Sequence, residues 1–221
     1  MFVRVMLLSV VALAVSGLAA QNLPTIDQVL SGHGKPPGKG RLLLLQGHCD
    51  ASNLEESGPF ELRVASPRIA MDLNRSSLKT GFDGKQLWRQ EAGQPAVGLP
   101  AGPLIEAIAI FDPDRRRRWK ELYPRIAVVR DEKLGNRTVL VLETEPGAKS
   151  TMRFYVDPQE SDLLRAETMP GLNFEMSDYR DVGGWRIPFH IVQSTPGGVY
   201  TFHVEKGEAV QAMDDSFFAM P

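Results

Sequence analysis

The side chains able to do covalent or metal chemistry are few and scattered along this chain of 221 residues. Histidines stand at His33, His48, His190 and His203, with no HExxH pattern and no paired cysteines beside them. A zinc site takes three or four protein ligands. His190 and His203 fall on two strand-like segments near each other in sequence, which allows a facing pair across neighbouring strands and a two-ligand site at best. Cys49 is the sole cysteine, so no disulfide can form within the chain, and a small buried hydrophobe is the expected state. No Gly-x-Ser-x-Gly elbow is present, and no serine stands in a recognisable setting with a base. Glu55-Glu56 and Asp214-Asp215 are adjacent in sequence and read as solvated turns. The Gly32 to Gly40 stretch has the outline of a phosphate loop, but His33 stands where glycine is required and Gly40 where Ser or Thr is required. These observations predict no catalysis, no cofactor and no metal.

One charge concentration remains, Arg115-Arg116-Arg117-Arg118-Trp119-Lys120. Such a run, with Trp119 at an interface, suits anionic lipid headgroups or an acidic partner face. It equally suits a solvated helix face balanced by Asp112, Asp114 and Glu121, and charge runs usually do no more than solvate a face. The net charge of -2 and the pI near 6.1 give no basic surplus, so nucleic acid is not an expected partner.

The elements that must position these residues are mostly strands. The first stretch, with Arg4, an apolar run from Val5 to Val15 and small residues to Ala20, reads as a secretory signal peptide cut after Ala19 or Ala20. The run is too short to span a bilayer, which needs about 20 apolar residues. No cysteine follows the small residues to accept a lipid anchor, so residues 21–221 are expected to form one exported, monomeric, β-rich domain in a periplasm or outside the cell. Thr25-Ile26-Asp27-Gln28 fits a capping box and predicts a short helix to Ser31. Strict alternation predicts half-buried strands at Phe60–Val64, Met152–Asp157 and Tyr200–Glu205. Further strands are expected at Arg41–Asp50, Arg68–Leu73, Leu78–Phe82, Gln86–Gln90, Ile126–Arg130, Arg137–Thr144, Leu163–Thr168, Leu172–Asp178 and Trp185–Gln193. Val139 to Leu142 is apolar at every position, so cover is expected on both faces there. Pro103 to Phe111 and Asp112 to Leu122 lack the alternation and read as two short helices, the second beginning near Asp112 with Pro113 in its first turn. This insert is expected to pack over the sheet or its mouth.

Four motifs carry a family resemblance. Gly81-Phe82-Asp83-Gly84-Lys85-Gln86-Leu87-Trp88, Tyr155-Val156-Asp157-Pro158 through Leu164, Asp178-Tyr179-Arg180-Asp181-Val182-Gly183-Gly184-Trp185-Arg186-Ile187-Pro188, and Asp215-Ser216-Phe217-Phe218 to Pro221 resemble hairpins and turns of the LolA/LolB/LppX-like superfamily of lipoprotein-sorting proteins. The resemblance runs from about Leu23 to Pro221. It implies a mainly β fold with helices (α+β), a curved incomplete antiparallel β-barrel whose helices cover the concave side. It also implies a hydrophobic cavity that accepts acyl chains of lipids or lipoproteins. The candidate lining residues are Leu62, Val64, Met71, Leu87, Trp88, Leu104, Ile108, Phe154, Phe174 and Phe189, with Arg115 to Arg118 and Trp119 as headgroup or partner contacts. The alternative expectation is a non-catalytic accessory or sensor domain with a filled core that binds another envelope protein.

Overall fold

Alternation of apolar and polar residues gives each segment one face to bury, and the chain satisfies these faces by laying the strands side by side. In the computed structural model, which describes residues 23–31, 40–52, 57–74, 78–100, 103–211 and 215–221, they form one antiparallel sheet. The expected signal peptide and the glycine- and proline-rich stretch after Ser31 lie outside the described residues. The strands are β1 (Arg41–Ala51), β2 (Gly58–Ala65), β3 (Arg68–Leu73), β4 (Leu78–Phe82), β5 (Leu87–Glu91), β6 (Val97–Leu99), β7 (Ala127–Leu134), β8 (Arg137–Glu143), β9 (Arg153–Val156), β10 (Leu163–Met169), β11 (Leu172–Val182), β12 (Trp185–Thr195) and β13 (Gly198–Gln211). Among the described residues three short α-helices accompany them: α1 (Ile26–Ser31), α2 (Pro103–Ala109) and α3 (Trp119–Leu122). No helix among the described residues is long and apolar enough to cross a membrane.

The sheet order is β6-β5-β4-β3-β2-β1-β13-β12-β11-β10-β9-β8-β7. Two meanders are therefore joined where the first strand pairs with the last, from Arg41 opposite Gln211 to Ala51 opposite Tyr200. The edges, β6 and β7, do not pair with each other, so the sheet stays open and is not closed into a barrel. Yet β6 and β7 are consecutive in sequence. The segment between them, which carries α2 and α3, leads from one edge of the sheet to the other.

One face of the sheet carries the main apolar cluster, including Leu43 and Leu45 of β1, Leu62 and Val64 of β2, Phe154 of β9, Phe174 of β11 and Phe202 of β13. At β8 the burial is two-sided. Leu140 and Leu142 join this cluster, while Val139 and Val141 meet Tyr155 and Leu164 on the other face. Helix α1 is held by a reciprocal cap, with the Thr25 amide donating to Gln28 Oε1 (2.7 Å) and the Gln28 amide to Thr25 Oγ1 (3.3 Å).

The four motifs do structural work. Asp83 Oδ1 accepts from the amides of Lys85 and Gln86 at 2.7 Å each, which holds the Asp83 carboxyl below the usual range. Gly81 faces Trp88 across the strand pair, and a Cβ there would lie 2.5 Å from the indole. Trp88 Nε1 in turn donates to the Phe218 carbonyl (2.9 Å), tying the C-terminal segment to the sheet. Asp157 caps the turn after β9 through the Gln159 amide (2.8 Å), and the Tyr179 hydroxyl donates to the Leu163 carbonyl (2.5 Å).

Two expectations need correction. The second insert helix does not begin near Asp112. The Asp112 carboxylate instead takes the Ser66 hydroxyl (2.6 Å) and the Asp114 amide (3.0 Å), and the chain winds as a 3-10 turn at Arg115–Arg118 before α3. Val97–Leu99 adds a strand that sequence reading left out, because three residues are too few to display alternation.

Candidate functional site

The insert between β6 and β7 puts its apolar residues against the main cluster. Ile108, Ala109, Phe111 and Trp119 are all buried members of it. Trp119 stacks on Phe154 with ring centroids 4.3 Å apart and planes 14° from parallel. Phe111 meets Phe174 and Phe202 edge-on at 6.3 and 5.7 Å, and Phe202 meets Phe60 in the same way at 5.4 Å. Edge-to-face and offset contacts of this kind add about 0.5–1.5 kcal/mol each beyond area burial.

Polar contacts hold the insert in this position. Arg115 reaches both carboxylate oxygens of Glu106 on α2 (3.1 and 2.5 Å), and the Tyr123 hydroxyl also donates to Glu106. Burial and the neighbouring Glu106 charge raise the Tyr123 phenol well above its ordinary value, so it remains a donor. Arg116 is half-buried as a residue, with its guanidinium the enclosed end, and it donates to the Ser161 carbonyl (2.8 Å). Desolvation lowers its pKa from the ordinary arginine value. Arg117 pairs with Asp114 (3.2 Å) and Arg118 with Glu121 (3.0 Å). Asp114 also accepts from Trp185 Nε1 (3.2 Å), and Lys120 reaches Asp27 of α1 (2.8 Å). Desolvation raises the pKa of the Asp112 carboxyl, although Ser66 and the Asp114 amide oppose the shift.

A small cavity lies where these groups meet. It has a volume of about 40 Å³ and is lined by Phe111, Trp119, Phe154, Met176, Ile187 and Ile191, with Arg115 and Arg116 also on its wall. On this measure a single water needs about 10–15 Å³, so the cavity has space for a few waters at most. In this arrangement the cavity has no room for an acyl chain. The buried Thr168 hydroxyl, also on the cavity wall, has no hydrogen-bond partner among the described residues.

Most of the residues expected from sequence fall into three groups, apart from Trp88 and from Arg117 and Arg118, which pair with Asp114 and Glu121. Phe154, Trp119, Arg115 and Arg116 line the cavity. Leu62, Val64, Met71, Leu87, Ile108, Phe174 and Phe189 belong to the same buried cluster without lining it, and the Arg180 guanidinium lies 4.3 Å from the Phe189 ring centroid. Leu104 falls on α2, with its side chain outside the described residues.

Two of the expected placements are corrected. Trp88 stands on the opposite face from Leu87, in a groove with Arg63, Asp72 and Lys79, because neighbouring residues of a strand point to opposite faces. Trp119 is only 2% exposed and is no surface contact, while Arg115 and Arg116 turn inward with it. Met176, Ile187 and Ile191 were missing from the sequence-derived lining. The alternation Trp185, Ile187, Phe189, Ile191 along β12 was the signal that could have found the last two.

No family model matches the sequence, and no curated protein matches it. Solved structures do match. A LolA superfamily protein from Nitrosomonas europaea superposes with a TM-score of 0.56 at 14% identity, covering 89% of this chain and 98% of that one. The fold is similar to that of this LolA superfamily protein. A putative outer membrane lipoprotein-sorting protein domain from Vibrio parahaemolyticus gives a TM-score of 0.56 at 13% identity, covering 87% of this chain and 94% of that one. A DUF1329 family protein from Desulfovibrio piger gives 0.54 at 10% identity, over 88% of this chain and 92% of that one. At such identities the likeness concerns the LolA-like fold alone.

Proposed function

We propose that this chain is a non-catalytic LolA-fold binding protein of the cell envelope, exported by its first twenty residues, that takes acyl chains of lipids or lipoproteins by displacing its insert. The observation that carries the reading is the way the interior is stoppered. The insert, not closure of the sheet, supplies Phe111 and Trp119 to the apolar face, and it is held by ion pairs and hydrogen bonds rather than by strand pairing. In this reading α2 and α3 form a cover over the concave side of the curved sheet.

The magnitudes set what such a cover can admit. Exposing Phe111 and Trp119, at 150–250 Å² each and about 25 cal/mol per Å², costs about 8–12 kcal/mol for the pair. Burying a chain of about 16 carbons at about 0.8 kcal/mol per methylene returns about 13 kcal/mol. A chain of about 8 carbons returns about 6 kcal/mol, which is too little. The cavity as it stands admits neither, so binding and opening are one event.

Native mass spectrometry of gently purified protein, followed by titration of delipidated protein with fatty acids of graded length, tests this. Bound apolar ligand and a length threshold between those two chains are expected. Absence of any apolar ligand, in both wild type and Trp119→Ala, would sink the reading.

The volume of about 40 Å³ favours a second reading, an accessory or sensor domain with a filled core that binds another envelope protein. That reading predicts no acyl binding under any condition, and a partner recovered by crosslinking in the periplasm.

A further inference from the structure

Three of the four histidines, scattered in sequence, come together on the face of the sheet opposite the main cluster. The register places His48 of β1 directly opposite His203 of β13, and His203 directly opposite His190 of β12. The three rings therefore stand in one row across three strands. Beside the row β1 carries a bulge at Gln46/Gly47, where a Cβ on Gly47 would lie 2.0 Å from the His203 carbonyl oxygen.

Within the row, His190 Nδ1 and His203 Nδ1 are 3.4 Å apart, with ring centroids at 4.9 Å. The other nitrogen of His203, Nε2, lies 3.5 Å from Asp50 Oδ2, and His48 Nε2 lies 3.3 Å from Asp50 Oδ1. The His203 tautomer with its proton on Nε2, the nitrogen nearer Asp50, leaves the lone pair of Nδ1 facing His190. Two imidazole nitrogens facing each other can share a proton or share a metal ion. Two nitrogens bound at 2.0–2.1 Å to one tetrahedral ion stand about 3.3–3.4 Å apart, which is the separation found here.

We propose that His190 and His203 form a bis-histidine site for a late divalent transition-metal ion, oriented by Asp50 from the second shell. The ion takes the place of the hydrogen between the two Nδ1 atoms, the His190 proton moves to that ring's own Nε2, and both rings bind as neutral imidazoles. Among the described residues no group of three or more His, Cys, Asp or Glu side chains surrounds a common point, so water supplies the remaining ligands. The separation matches a tetrahedral ion such as zinc(II), and copper(II), which binds nitrogen ligands more tightly, reports on the same pair in a spectroscopic titration. Asp178, on the strand beside His190, is paired with Arg180 (2.6 Å). The site lies on the face away from the insert, so it is independent of the acyl-binding reading.

The test is a copper(II) titration of the mature chain in non-coordinating buffer, read by calorimetry and by electron paramagnetic resonance. One ion per chain with two nitrogen ligands is expected. His190→Ala and His203→Ala should each weaken binding by about 100-fold or more, and Asp50→Asn by about 10-fold, the range for second-shell partners. His33→Ala should leave binding unchanged. Melting of the metal-free variants checks that the fold is intact. Absence of saturable binding, binding that survives His190→Ala, binding lost with His33→Ala, or wild-type affinity in Asp50→Asn would each overturn the site.

Discussion

Replacing Trp119 by alanine empties the place where the insert presses on the sheet. The side chain is 2% exposed and lies flat on Phe154 at 4.3 Å. A buried tryptophan truncated to alanine costs about 3–5 kcal/mol, because the lost transfer energy is joined by the cost of the void. For a domain of this size each kcal/mol lowers the melting temperature by about 2–4 °C, so a fall of about 6–20 °C is expected. Urea unfolding followed by circular dichroism measures the loss directly, and an unchanged m value would show that the denatured state is not responsible. The same variant carries a second readout. The void adjoins the existing cavity, and the aromatic that an acyl chain must displace is gone, which removes about 4–6 kcal/mol from the opening cost. Trp119→Ala should therefore bind fatty acids more tightly than wild type while being less stable. A destabilisation below about 1 kcal/mol would refute the burial argument. A large destabilisation with weaker acyl binding would refute the displacement argument.

Three further expectations concern single groups. Asp112 has its folded pKa raised by burial, so its contribution to stability is full below the ordinary aspartate value and is lost as pH rises through the raised value. The stability of Asp112→Asn relative to wild type should accordingly grow as pH increases from about 4 towards neutrality, and a difference independent of pH in urea melts would contradict this. Gly81→Ala drives a Cβ to 2.5 Å from the Trp88 ring and should cost about 1–3 kcal/mol, with most of it recovered in the double variant with Trp88→Ala relative to Trp88→Ala alone. Tyr123→Phe removes the donor to Glu106 and should cost about 1.5–3 kcal/mol in the same melts, and a change under about 0.5 kcal/mol would show that the insert is held elsewhere.

The strands were the most legible part. Phe60, Leu62 and Val64 alternate with Glu61 and Arg63, and that period alone assigns each to a face. The same rule separates Leu87 from Trp88, which hydrophobicity alone would put together. Asp83-Gly84 and Gly183-Gly184 announced their turns, and Gly84 (φ 99°) and Gly183 (φ 60°) hold the left-handed backbone such turns need. The arginine run was not legible in this way. Nothing in Arg115 to Arg118 says that two guanidiniums turn inward, because Ser161, the partner of Arg116, lies 45 residues away. The histidine row needed the β1–β13 and β12–β13 registers, which join segments more than 150 residues apart for His48 and His203.

What the sequence determined by itself is local: which faces of the strands are apolar, where the chain turns, and which segment breaks the alternation. These follow from backbone sterics and from the period of two, which neighbouring residues settle among themselves. Only the tertiary structure decided that the sheet stays open, that Trp119 and Phe111 fill its apolar face to leave about 40 Å³, and that His190 meets His203. Each of these depends on distant side chains meeting at contact distance, and packing density at such meetings is a property of the assembled core rather than of any one segment.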